Sequence, residues 1–264
     1  MVTGLSNNFN NDYVYVRQNS YGPELAWVLA PIASGLVMKA LPSFSNPFQK
    51  QMKNEWANNH LYKDVLLKAH SESGLKEKGV SIFHVGENMP VDKAIAKGEN
   101  ACYIPTLKQV HLNTNKASIA GFHELGHAKN HVMSKLGKLL QSCRKPGYTI
   151  AGLMGTVALF SRQKPKGEPR NAWDYLQDNC GKIAFISMLP TVAEEALASY
   201  NGIKMAKKAG LDKSLVKNLR KFYGKALLSY SGYAILAGIS VYAASKITEI
   251  LTRPKKVPIS DFYI

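Results

Sequence analysis

Apolar and polar positions follow two different periods along this chain of 264 residues. Trp56, Leu61, Val65 and Leu66 recur at turn spacing and predict a helix over Asn54–Ser71. Short apolar runs punctuated by Gly and Pro predict strands at Val80–Val85, Ala101–Ile104 and Gln109–Asn113. Phe122, Leu125, Ala128 and Val132 then mark the buried side of a further helix. Residues 24–40 read as an apolar helix, interrupted at Pro31 and followed by a break from Pro42 to Pro47. The Asn-rich residues 1–20 read as a loose polar arm, and Lys164–Asn171 as a charged, Pro-containing loop facing water. Pro190–Tyr200 has the form of a proline-led helix start.

Three apolar runs stand apart from this globular pattern. Ala226–Ser245 has 20 residues without a charge between Lys225 and Lys246. About 20 such residues cross a hydrocarbon core near 30 Å thick. Ser229, Tyr230, Ser231, Gly232 and Ser240 dilute the run, so a buried helix of a soluble core remains the alternative. Tyr148–Phe160 and Ile183–Ala193 are too short to span alone and suit a membrane-dipping hairpin or core helices. A cleaved leader is not expected, because the first 16 residues contain no Lys or Arg.

Charge adds a second constraint to this picture. Lys and Arg outnumber Asp and Glu by 34 to 18, a net charge of +16. Residues 201–264 hold 12 of the basic side chains and only 3 acids. Basic residues beside an apolar span gain from anionic lipid and favour the cytoplasmic face, but here they flank the 226–245 run on both sides, so the rule leaves its orientation open. Nucleic acid is an unlikely partner by this reading, since no reading helix, zinc finger or aromatic stacking platform accompanies the charge. Cys102, Cys143 and Cys180 are odd in number and scattered, which points to a reduced setting and offers no metal framework.

The chemistry concentrates in Gly121–Ala128, Gly-Phe-His-Glu-Leu-Gly-His-Ala. His123 and His127 lie four apart, so on a helix both rings share one face and can close on one zinc ion. Glu124 stands beside them as a base for a water proton, completing the H-E-x-x-H pattern of zinc hydrolases. His131 is too far along the axis to join them and is read as a packed or solvated residue. A catalytic zinc site takes three protein ligands. The best remaining donor is Glu194 or Glu195, two acids among small apolar residues where an unpaired charge is costly. His60, His70 and His84 read as ordinary structural histidines, while Tyr200, Tyr148 and His111 are the residue types available to stabilise an oxyanion.

The stretch Asn100–Leu112, followed by Phe122-His-Glu-Leu-Gly-His-Ala and by Glu195-Ala-Leu-Ala-Ser, resembles membrane-embedded zinc metallopeptidases of the gluzincin kind. It is most similar to the bacterial neutral zinc metallopeptidases of membranes, and more distantly to HtpX-type and CaaX prenyl endopeptidases. The resemblance implies His123, His127 and Glu195 as ligands of one Zn2+ per chain, with Glu124 catalytic and Glu194 in reserve. Where the HtpX-type motif ends in Ala-Asp this chain has Ala198-Ser199, which leaves Ser199 as a weaker substitute for a supporting aspartate.

The expected fold is α+β, a mostly helical zincin-like metallopeptidase with a small sheet and apolar membrane-associated helices. Residues 1–47 form the arm and apolar helix, 48–147 the core with the H-E-x-x-H helix, and 148–193 an apolar hairpin. Residues 194–222 carry the third ligand and a basic segment, and 223–264 the candidate span and basic tail. The expected function is zinc-dependent endopeptidase at a membrane, multi-pass with its site facing the cytoplasm, acting on a polypeptide substrate. The alternatives are a catalytically silent membrane interaction protein of the same fold and a basic binding protein with an incidental motif.

Overall fold

The computed structural model describes residues 13–16, 61–86, 93–116, 119–162, 169–253 and 255–258. The chain is mostly helical with a small three-stranded sheet, an α+β arrangement. Its elements are β1 (Tyr13–Val16), α1 (Leu61–Glu72), β2 (Ser81–His84), α2 (Lys93–Ala96), β3 (Cys102–Ile104), β4 (Gln109–Leu112), α3 (Ile119–Met133), α4 (Lys135–Leu159), α5 (Ala172–Lys208), α6 (Lys213–Leu251) and β5 (Lys255–Pro258).

Two compact units divide the chain: one gathers residues 40–148 and 187–234, the other residues 1–39, 149–186 and 235–264. The first, the site unit, contains the sheet in the order β2-β4-β3. β4 runs parallel to β2 and antiparallel to β3, with Val110 opposite both Ile82 and Tyr103. Val110 and Leu112 of this central strand are buried, as its position between two neighbours requires. Asn113 turns the chain off β4: its Oδ1 accepts from the N–H groups of Asn115 and Lys116, at 2.9 and 3.2 Å.

α3 packs its Ile119, Phe122, Leu125 and Ala128 into the core with Leu66 of α1 and Met205 and Leu219 from the later helices. Ser134 separates α3 from α4 by capping the second helix, its Oγ accepting from the Gly137 N–H at 3.0 Å. α3 and α5 approach to backbone contact. A Cβ on Gly126 would collide with the Ala198 carbonyl, and one on Gly202 with the Phe122 carbonyl. This answers why a glycine, costly inside a helix, stands between the two motif histidines.

α5 overturns the helix start expected at Pro190. It begins eighteen residues earlier (190 − 172), capped by a reciprocal pair in which the Asn171 N–H donates to Asp174 Oδ2 and the Asp174 N–H to Asn171 Oδ1. Pro190 lies inside it. An interior proline costs about 3 kcal/mol, and burial of Met188, Thr191, Glu194, Glu195 and Ala198 around it holds the helix together. Gly210, with φ +94°, closes α5: its N–H donates to the Lys207 carbonyl and that of Leu211 to the Ala206 carbonyl. Asp212 then caps α6 through the Ser214 N–H at 2.7 Å.

Among its described residues the second unit is helical apart from β1 and β5. These pair antiparallel, Tyr13 opposite Pro258 and Val16 opposite Lys255, so the expected loose arm contains a strand. The alternating Tyr-Val-Tyr-Val of β1 has the β-branched and aromatic content that strands favour. Met154, Val157 and Ala158 of α4 pack with Cys180 and Ala184 of α5 and Val241 of α6. Ser161 and Ser245 share a hydrogen bond of 2.8 Å in its interior. Outward it presents Leu153, Phe160, Ile186, Ile235, Ile239 and Tyr242.

The strands expected at 80–85, 101–104 and 109–113 are present with slightly shorter bounds, as β2, β3 and β4. The expected helix 54–71 is described from Leu61 onward, and the apolar segment 24–40 lies outside the described residues, as do 164–168 of the expected loop. α6 is long and apolar enough to cross a membrane. Of its most apolar 18-residue window 28% is buried, whereas the core helix of a soluble protein is mostly buried.

Candidate metal centre

Four helices of the site unit bring their polar side chains to one place. The turn spacing within α3 sets His123 and His127 on one face, with ring centroids 4.5 Å apart. Glu195 of α5 reaches them because the glycines let the two helices close up. His123 Nε2 and His127 Nε2 are 3.0 Å apart. Glu195 Oε2 lies 3.0 Å from the first and 3.5 Å from the second.

This triangle can be tested against a metal. Ligands about 2.0–2.1 Å from a tetrahedral zinc ion stand roughly 3.3–3.4 Å from one another. The three observed separations bracket that value. Two imidazole nitrogens and one carboxylate oxygen are also a donor set that zinc accepts. With their carboxylates ionised, Glu124, Glu194 and Glu195 against the Arg144 guanidinium leave two negative charges, which a divalent cation balances. The buried His/Glu groups therefore fit a metal ion.

Glu194 does not compete with Glu195 for the inner position. Its Oε1 accepts the His127 Nδ1–H at 2.9 Å, on the far side of the ring from the triangle. The same oxygen accepts from Asn130 Nδ2 and Gln141 Nε2, each at 3.0 Å. Ser199 Oγ stands 3.2 Å from His123 Nδ1, so each motif histidine has a polar partner behind it. Asn130 is steadied in turn by Asn201, whose Nδ2 donates to Asn130 Oδ1 at 2.7 Å.

Arg144 of α4 spans both acids, Nη1 donating to Glu194 Oε2 at 2.9 Å and Nη2 to Glu195 Oε1 at 2.7 Å. These partners reshape the titration of the cluster. Burial alone would lower the His127 pKa, but its hydrogen bonds to Glu194 and Glu195 outweigh burial and push it up to about 10. Burial works against the Glu195 carboxylate too, yet the two histidines hold its carboxyl well below the usual range.

Glu124 offers one carboxylate oxygen within 4.8 Å of the donors of His123 and His127. Its Oε2 accepts the Tyr103 backbone N–H at 2.7 Å, which ties it to the edge strand β3. Burial pushes the Glu124 carboxyl above the usual carboxylate range, with the neighbouring histidines pulling it back and Glu195 adding to the rise.

The other histidines lie apart. His131 bonds the Tyr103 hydroxyl at 2.8 Å and His111 stacks on Phe83. His70 Nε2 meets the Val80 carbonyl, His84 Nδ1 accepts from Thr114, and His60 lies outside the described residues. Among the tyrosines considered for oxyanion contact, Tyr200 is 61% exposed. Tyr148 and Tyr230, the second not singled out from sequence, are both within electrostatic reach of Arg144, and Tyr230 also of Glu195 and Glu124. It is one of three tyrosines, with Tyr233 and Tyr242, in the uncharged run 226–245, so the sequence had no signal that picked it out.

No protein-family model matches this chain, and neither does any curated protein or solved structure.

Proposed function

We propose that this protein is a zinc-dependent endopeptidase of gluzincin type, acting at a membrane. The observation that carries the reading is the convergence of His123 Nε2, His127 Nε2 and Glu195 Oε2 with the Glu124 carboxylate beside them. His123, His127 and Glu195 would hold the zinc ion, which would supply Lewis acidity toward a peptide carbonyl and toward water.

The rest is done by side chains. Glu124, poised by a raised pKa, takes the proton of the attacking water and returns it to the leaving amine. Glu194 and Ser199 fix the two imidazoles so that their Nε2 atoms face inward. Tyr230, within electrostatic reach of Glu195 and Glu124, is the phenol this reading assigns to the oxygen on which negative charge develops. β3 is an edge of the three-stranded sheet, and an extended polypeptide adds to such an edge by main-chain hydrogen bonds.

The membrane assignment rests on α6 and on the outward apolar residues of the second unit. In this reading α6 crosses the bilayer, and the apolar parts of α4 and α5 that pack beside it in that unit share the lipid, making the chain multi-pass. The basic residues of 204–225 hold the site unit at the cytoplasmic face.

The test is metal content together with hydrolysis of a peptide library by the purified full chain. The expected result is about one zinc per chain, kept in Glu124→Gln while hydrolysis is lost. Zinc without hydrolysis in the wild type would identify a catalytically silent relative of the fold; no zinc at all would make the motif incidental.

A further inference from the structure

Glu194 and Glu195 are consecutive on α5, so their side chains leave the helix about 100° apart, yet both are buried at one site. Each has two oxygens, and all four are assigned. Glu194 Oε1 takes His127, Asn130 and Gln141; Glu195 Oε2 faces the two Nε2 atoms. The two remaining oxygens, Glu194 Oε2 and Glu195 Oε1, both go to Arg144.

From this division we propose that Arg144 is a positioning residue that limits Glu195 to a single inward oxygen and locks Glu194 onto His127. The inference rests on the metal reading given above.

The geometry favours a guanidinium for this task. Its two terminal nitrogens diverge in a fixed plane and can serve two carboxylates at once. An ammonium is a point charge on a flexible stem and would collapse onto one of them. α4 comes close enough to place the fork because Gly147 lets it approach α5; a Cβ there would collide with the Ser187 carbonyl. With Arg144 on Glu195 Oε1, that oxygen is withheld from the metal. Glu195 would then hold a metal ion through one oxygen only, which suits a catalytic site of three protein ligands.

The experiment uses the full chain in detergent, stripped of metal, as wild type, Arg144→Lys and Arg144→Gln. Zn2+ is titrated against a chromophoric chelator, and Co2+ is added separately to record its visible spectrum. Arg144→Lys is expected to bind zinc about 10- to 100-fold more weakly, the range for partners behind a metal ligand. Its Co2+ bands are expected to weaken from four-coordinate toward five-coordinate intensity as Glu195 turns its second oxygen inward. Arg144→Gln is expected to show the same change at least as strongly; if it does not fold, Arg144→Lys carries the test alone. Wild-type affinity and a wild-type Co2+ spectrum in Arg144→Lys would overturn the inference while leaving the metal site intact. A wild-type chain that takes up neither ion would overturn the metal reading itself and this inference with it.

Discussion

Gly126 faces the backbone carbonyl of Ala198 with no room between them for a methyl group. That contact joins the helix of the two histidines to the helix of Glu195, so the fold and the site depend on the same missing side chain. Gly126→Ala must push the helices apart, an overpacking that costs about 1–3 kcal/mol. It should also lower metal affinity, because Glu195 recedes from both rings. Gly224 of α6 has open space where its Cβ would stand, and Gly224→Ala should stabilise by about 0.5–1 kcal/mol. Denaturant unfolding of the two variants checks the opposite signs, and zinc titration checks the coupling to the site.

The neighbouring acids give a sharper contrast. Glu195 Oε2 faces the histidine nitrogens, whereas Glu194 acts through the other side of one ring. Glu195→Gln should therefore remove metal binding. Glu194→Gln should weaken it about 10- to 100-fold, because an amide cannot accept from all the donors that now converge on that carboxylate. Equal losses in the two variants, measured by zinc titration, would contradict this assignment.

The cluster also predicts a pH dependence whose sign follows from His127. In the metal-free protein its pKa is pushed up to about 10, against about 6.5 in an unfolded chain. The raised value stabilises the folded state fully below pH 6.5, and that contribution is lost as pH rises toward 10. Metal-free protein should thus be measurably less stable at pH 10 than at pH 6.5. Zinc has to displace this proton, so its affinity should keep climbing from pH 7 to pH 9 instead of levelling off above pH 6.5. An affinity independent of pH over that interval would show that His127 is not protonated in the metal-free site.

Much of this architecture is legible in the sequence, and the exceptions have physical causes. The three strands follow from apolar runs bounded by Gly and Pro, and the His123/His127 face follows from four-residue spacing. Pro190 misled as a helix boundary because packing on both sides of it overrode local preference. Tyr13–Val16 needed a partner strand 239 to 245 residues away (255 − 16 for Val16 and Lys255, 258 − 13 for Tyr13 and Pro258), which no local pattern reveals; its alternation alone was the clue. For the site, two adjacent acids in apolar surroundings signalled a need for compensation. That need did not point to Arg144, which lies fifty residues earlier (194 − 144) in an unremarkable basic stretch. Nor could spacing separate Glu194 from Glu195; only the turn of α5 against α3 does so.

Tyr230 provides the last contrast. It belongs to α6, and its phenol is within electrostatic reach of Glu195, Glu124 and Arg144. Tyr200 is on the helix of Glu195 but 61% exposed. If Tyr230 stabilises charge that develops only during peptide hydrolysis, its loss should slow turnover without disturbing metal binding. Tyr230→Phe is expected to reduce kcat by about 100-fold, with KM, zinc affinity and the Co2+ spectrum close to wild type. Tyr200→Phe should leave all four unchanged. A Tyr230→Phe protein with full kcat would remove the phenol from the mechanism, and a matched loss of zinc would show that it supports the ligands instead.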